Sequence, residues 1–140
     1  MTCCCEKCFS KDTPVSAIMH RDPITVSSSM PVAKALDWMR EHNIRHLPVK
    51  DANTLVGIIS DRDINFALRV DGKSPEQLAV RDAYTADPYA VEPNVPLRLV
   101  AAEMAERGIG SALIAESGKL VGIVSVVDVC RALSQVLTKL

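Results

Sequence analysis

Residues 22–68, DPITVSSSMPVAKALDWMREHNIRHLPVKDANTLVGIISDRDINFAL, fall without a gap on residues 87–133, DPYAVEPNVPLRLVAAEMAERGIGSALIAESGKLVGIVSVVDVCRAL. The offset is 65 residues. Widened to Val15–Val70 against Val80–Gln135, the two segments agree at 16 of 56 positions. Average composition would give roughly three or four. The agreement sits at structural punctuation: Asp22-Pro23 on Asp87-Pro88, Pro31 on Pro96, Leu55-Val56-Gly57-Ile58 on Leu120-Val121-Gly122-Ile123. Ser60 and Asp63 likewise fall on Ser125 and Asp128. A long period present only twice is not a solenoid. It predicts two copies of one small module packed about a pseudo-twofold axis, with ligands in the cleft between copies.

The chain has 140 residues, room for one compact domain whose halves share a core. An apolar fraction of 48% with 24% charged residues is ordinary for a soluble globular protein. A net charge of -1 leaves no electrostatic footprint for nucleic acid or an anionic membrane. The apolar runs break well short of the roughly 18 residues a membrane helix needs. The N-terminal MTCCCEKCFSKD lacks the basic-then-apolar pattern of a secretory signal, so a cytoplasmic location is expected. Cys3, Cys4, Cys5 and Cys8 crowd this tail. Adjacent cysteines are poorly placed around one tetrahedral zinc, and the single C-x-x-C has no second pair. An exposed, oxidisable tail is expected, with metal binding across a dimer, redox sensing and lipidation as alternatives. Cys130 falls in an apolar helical stripe and reads as a small core residue.

Four segments organise the chain: a Cys-rich tail over 1–12, a first repeat over 13–70, a linker over 71–79 and a second repeat over 80–140. Pro14 opens a short helix, and Asp22-Pro23 breaks it. A strand is expected at Ile24–Val26, and Ser29 or a neighbour caps the next helix, with Pro31 in its first turn. Val32, Leu36 and Met39 form that helix's buried stripe. His46–Lys50 and Leu55–Ser60 are strands around an Asp-Ala-Asn turn, and Asp61–Val70 is helix. A short helix from Glu76 leads into the second copy. There the pattern recurs: strand Tyr89–Val91, helix Pro96–Arg107 with Leu97, Ala101 and Met104 facing the core, strands Ser111–Ala115 and Leu120–Ser125, helix Val126–Leu140. Each copy is β-α-β-β-α, an α/β (α+β) architecture.

Both LVGIISDRD and LVGIVSVVD place a strand, then Ser, then a helix with Asp three positions on. The same spacing supports two readings. Ser-x-x-Asp at a helix start is a capping box. A helix N-terminus also offers N–H donors and a positive dipole end to phosphate, and a neighbouring carboxylate accepts from a ribose diol. In NIRHLPV, Arg45 and His46 open a strand, and Arg is the preferred bidentate phosphate partner. Each could equally be a solvated edge or a surface ion pair.

D-P-x-x-V, a helix, NIRHLPV and LVGIISDRDI, all repeated, resemble CBS domains, and the whole resembles a tandem CBS pair, or Bateman module. The resemblance covers roughly Val15–Leu137. It implies a regulatory, non-catalytic protein with two clefts that bind adenosine ligands such as AMP, ADP or ATP, sometimes NAD or S-adenosylmethionine. It implies one cleft using Asp63, Ser60, Arg45, His46 and Arg62, with Tyr84, Tyr89, Ile109 and Gly110 around the base. It implies a second using Asp128, Ser125, Gly110 and Ser111, with Met19, Ile24, Ile44 and Arg45 around the base. The second departs from the pattern, because Gly110-Ser111 replaces Arg45-His46 and Val127 replaces Arg62. A ligand-free scaffold for dimerisation or partner docking is the alternative. An enzyme is not expected: P-loop and H-E-x-x-H motifs are absent, and His20, His42 and His46 show no metal-ligand spacing. The apolar breadth of the last helix predicts a homodimer, and an unidentified regulated protein would read the signal.

Overall fold

The computed structural model describes residues 8–140, so Cys3, Cys4 and Cys5 lie outside the described residues. In chain order its elements are β1 (His20–Arg21), α1 (Val32–His42), β2 (His46–Asp51), β3 (Thr54–Ser60), α2 (Asp61–Asp71), β4 (Thr85–Ala86), β5 (Ala90–Val91), α3 (Leu97–Arg107), β6 (Ser111–Glu116), β7 (Lys119–Ser125) and α4 (Val126–Thr138). Single 3-10 turns at Val15–Ala17 and Val80–Asp82 precede β1 and β4. The chain is mixed α+β and forms two compact units. One is continuous, Pro23–Pro88; the other is split, joining the described residues up to Asp22 with Tyr89–Leu140.

In the continuous unit β2 and β3 form an antiparallel hairpin, and β4 adds antiparallel to β3, giving the order β2-β3-β4. The core gathers Val32, Ala35 and Met39 from α1, Leu47 and Val49 from β2, Ile59 from β3 and Ile64 from α2. Leu36 packs against it only partly buried. Leu78 and Val80, which precede β4, are fully buried in the same core. Each such side chain contributes about 1.5–3 kcal/mol.

The split unit repeats this plan with a four-stranded sheet ordered β1-β7-β6-β5. Val15 joins Val100, Met104, Ala112, Ile114 and Val124 in its core, with Leu97 packed alongside. Ala101 is half-buried. Residues just before the first repeat's Asp-Pro thus complete the second hairpin, and residues just before the second Asp-Pro complete the first.

That exchange accounts for the repeated Leu-Val-Gly-Ile. A Cβ on Gly57 would run into the Tyr84 ring and the Thr85 carbonyl. One on Gly122 would come within 2.6 Å of Met19 Sδ. The incoming segment lies flat on the hairpin at both places, and only glycine leaves it room.

Asp22 and Asp87 have φ of 49° and 51°, the left-handed region that Asp tolerates better than most residues. Proline neighbours ordinarily favour extended backbone. Here the repeated Asp-Pro marks where the chain leaves one unit for the other.

Several sequence expectations change in the structure. The strand at Ile24–Val26 reduces to a single parallel bridge between Val26 and Val49. Its counterpart β5 is a true, if short, strand parallel to β6. No helix starts at Glu76; a turn leads to the 3-10 turn at Val80–Asp82. Ser29 does not cap α1: Pro31 is the N-cap without a side-chain bond, and the Ser29 hydroxyl lies 3.3 Å from that of Ser27. Ser28 instead donates its N–H and hydroxyl to Asp51 at 2.9 and 2.7 Å, tying the start of α1 to the β2–β3 turn. Cys130 is exposed, not core. The apolar positions of α4 extend round more of the helix than its sheet covers, leaving Val126, Val127, Leu133 and Leu137 exposed. In the expected tail the Lys11 carbonyl accepts from the Arg98 guanidinium, and just after it the Thr13 carbonyl accepts from the Leu97 N–H.

Candidate functional site

In the continuous unit the chain runs from β3 into α2 at Ser60, which has extended backbone and caps the helix. The Asp63 N–H donates to Ser60 Oγ at 3.1 Å, and the Ser60 N–H donates to Asp63 Oδ2 at 3.0 Å. Asp63 Oδ1 has no protein donor among the described residues. The start of β2 lies beside this helix terminus, because His46 is in register with Ser60 and the Asp61 N–H donates to the Arg45 carbonyl at 3.1 Å. Arg45 and Arg62 are exposed. Burial holds the His46 imidazole below its ordinary range, with Arg45 adding to the effect, while Asp61 and Asp63 pull the other way. A cavity of about 430 Å³ opens here, lined by Arg62, Asp63, Phe66, Asp82, Ala83 and Tyr84 among others. That volume lies within the roughly 300–1,000 Å³ of small-molecule sites. The cavity brings an under-used carboxylate together with the Arg62 guanidinium and two aromatic rings, whereas Arg45 and His46 stand at the start of β2 beside the helix terminus and are not in its lining.

The split unit builds the same corner from β7, α4 and the start of β6. Ser125 caps α4, accepting from the Asp128 N–H at 3.2 Å. Ser111 is in register with Ser125, and the Val126 N–H donates to the Gly110 carbonyl at 2.9 Å. Asp128 is buried, and both of its oxygens are engaged. Oδ2 accepts from the Ser125 N–H at 2.8 Å and its hydroxyl at 3.0 Å. Oδ1 lies 2.9 Å from His20 Nε2 and 3.4 Å from Arg131 Nη1. A smaller cavity of about 260 Å³ adjoins these residues, with Phe9, Thr13, Met19 and Gln135 in its wall.

A family model described as the CBS domain matches residues 15–70 and again 80–135. The chain belongs to the CBS domain family. Its tandem CBS pair is 28% identical to a putative acetoin utilization protein from Vibrio cholerae, with a TM-score of 0.80 over 90% of this chain and 93% of that one. It is 30% identical to the CBS domain pair of protein MJ0100, solved with 5'-methylthioadenosine and S-adenosyl-L-methionine, with a TM-score of 0.80 over 88% and 97% of the two chains. Among curated relatives it is 39% identical over 110 residues to inosine-5'-monophosphate dehydrogenase of Korarchaeum cryptofilum. That match takes in 78% of this chain and only 22% of the dehydrogenase. The CBS pair therefore spans about a quarter or less of the enzymes it matches.

Within the CBS pair, the expected ligand residues divide between the units. Ile24, Ile44, Arg45, His46, Ser60, Arg62, Asp63 and Tyr84 belong to the continuous unit. Met19, Tyr89, Ile109, Gly110, Ser111, Ser125 and Asp128 belong to the split unit. Ser111 is buried, and the Tyr89 ring carries Arg107 at 4.8 Å from its centroid. Sequence reasoning passed over His20, Phe66 and Arg131. The signal lay in the 65-residue register, which sets His20 on Thr85 and Arg131 on Phe66.

Among the described residues no helix is long and apolar enough to cross a membrane.

Proposed function

We propose that the chain is a regulatory module whose continuous unit binds an adenine nucleotide of the AMP, ADP or ATP type at Asp63. The observation that carries this reading is the Asp63 carboxylate. It caps its helix through one oxygen and leaves the other free for a ribose diol, a role carboxylates play in dinucleotide sites. Ser60 and the first turn of α2 face the phosphates, Arg45 and Arg62 supply positive charge, His46 offers a neutral imidazole N–H, and Tyr84 and Phe66 offer ring faces to the base. The ligands of the MJ0100 pair share the adenosine moiety, which supports the class. Ligand binding would shift a conformational or assembly equilibrium that an unidentified partner reads, a signalling role in the cytoplasm without catalysis.

The exposed apolar residues of α4, continued by Leu140, favour a second copy of the chain as the first partner. Light scattering at micromolar concentration should give a dimer mass. The same face supports the second reading, a ligand-free scaffold for dimerisation or docking.

A thermal-shift panel of AMP, ADP, ATP, NAD and S-adenosylmethionine separates the two. Ligand at a hundred times its Kd stabilises the folded state by about 2.7 kcal/mol. Arg45→Ala should weaken ATP more than adenosine, since only a phosphate contact is lost. A flat panel at millimolar ligand leaves the scaffold.

A further inference from the structure

The two Ser-x-x-Asp corners differ in how many acceptor sites they leave. An ionised carboxylate has about four lone-pair sites. Asp128 meets four donors: the Ser125 N–H, the Ser125 hydroxyl, His20 Nε2 and Arg131 Nη1. Asp63 meets one, the Ser60 N–H. Asp128 is also the more enclosed, with its side chain 7% exposed beneath His20 and Arg131 at 67% and 60%. A carboxylate only accepts, so Nε2 carries the proton in the His20 contact, whose 2.9 Å length is that of a good hydrogen bond. Neither donor belongs to the Ser-x-x-Asp motif. His20 arrives on β1, fixed by backbone pairing of His20 with Ile123, and Arg131 stands one turn along α4.

We infer that His20, seconded by Arg131, closes the Asp128 carboxylate to a ribose diol and is the residue that keeps the split unit's pocket from taking an adenosine ligand. A diol entering this pocket must first displace a charge-assisted contact from a carboxylate that is already satisfied. In the continuous unit the 65-residue register puts Thr85 where His20 stands and Phe66 where Arg131 stands, and neither bonds Asp63. Phe9 and Thr13 wall the pocket beside His20, so a gain on opening it would be confined to the split unit.

The inference rests on the nucleotide reading for the role of Asp63, and its test is separable from that reading. His20→Thr installs the residue the other repeat carries, on an exposed, β-compatible position, so the fold should stand. Calorimetry with adenosine on the full chain in an Asp63→Ala background compares His20 with His20→Thr. The threonine form should bind adenosine about tenfold or more tightly than its parent, and a further Asp128→Asn should remove the gain. Equal affinity with and without His20, or a gain that survives Asp128→Asn, would overturn the inference. ATP titrated into the unaltered chain reads the Asp63 site alone. Failure there with a gain from His20→Thr would sink the nucleotide reading of the continuous unit and leave His20 as the closing residue.

Discussion

Asp63 and Asp128 occupy matching corners of the two units, follow matching serines and cap matching helices, yet one is left with a free oxygen and the other is saturated. The difference is made by residues outside the motif: a histidine 108 positions away and an arginine three positions on. A helix cap and a diol acceptor need the same carboxylate but not the same oxygen. The cap takes Oδ2 in both units, so what reaches Oδ1 decides whether the corner can do more than hold a helix.

The sharpest way to break this comparison is to remove each carboxylate in turn. Asp63→Ala should weaken AMP or ATP binding by about a hundredfold, whereas Asp128→Ala should leave most of it. Both variants lose a cap, at about 1 kcal/mol each, so calorimetry belongs on protein shown to be folded. A larger binding loss from Asp128→Ala would reverse the assignment of the two corners.

A second contrast lies in the glycines under the exchanged segments. Gly57→Ala meets a backbone carbonyl and an aromatic ring, neither of which can move aside. It should destabilise by about 1–3 kcal/mol, the usual cost of overpacking. Gly122→Ala meets the flexible end of Met19, with the His20 carbonyl at 3.1 Å, and should cost less. Urea midpoints in the opposite order would mean that the split unit is the more tightly packed.

The smallest expected effect is a dependence on pH. His46 has its folded pKa below the ordinary 6.5, so between those two values the unfolded chain binds more protons. This site's contribution to stability therefore rises with pH through that window and levels off above 6.5. The split unit has Ser111 at this position and no such term. His46→Ser should flatten the slope of urea stability between pH 5 and pH 7.5; an unchanged slope would assign it to other groups.

Much of this was legible beforehand. The hairpins and the four helices follow from strong periodicity and paired caps, and Asn43 and Gly108 take the left-handed position that closes α1 and α3. What stayed hidden shares one cause. β1 and β4 are two residues long, too short for any alternation to show, and their pairing partners lie on the other repeat's hairpin. His20 came in with β1, so its contact with Asp128 was hidden for the same reason. Cys130 was misread because helical periodicity marks an apolar face without saying whether anything covers it.

The exchange of first strands also orders events during synthesis. Gly57 pairs with Ala86, a closure of a few dozen residues, and every element of the continuous unit has been made once Pro88 emerges. His20 pairs with Ile123, so the split unit's first strand must wait until β7 has been made. Closing the longer loop costs little extra entropy but slows the search. Until β7 appears, β1 and the apolar Val15 are an unpaired strand and an uncovered side chain. During that interval the nascent chain is open to mispairing with a neighbouring copy.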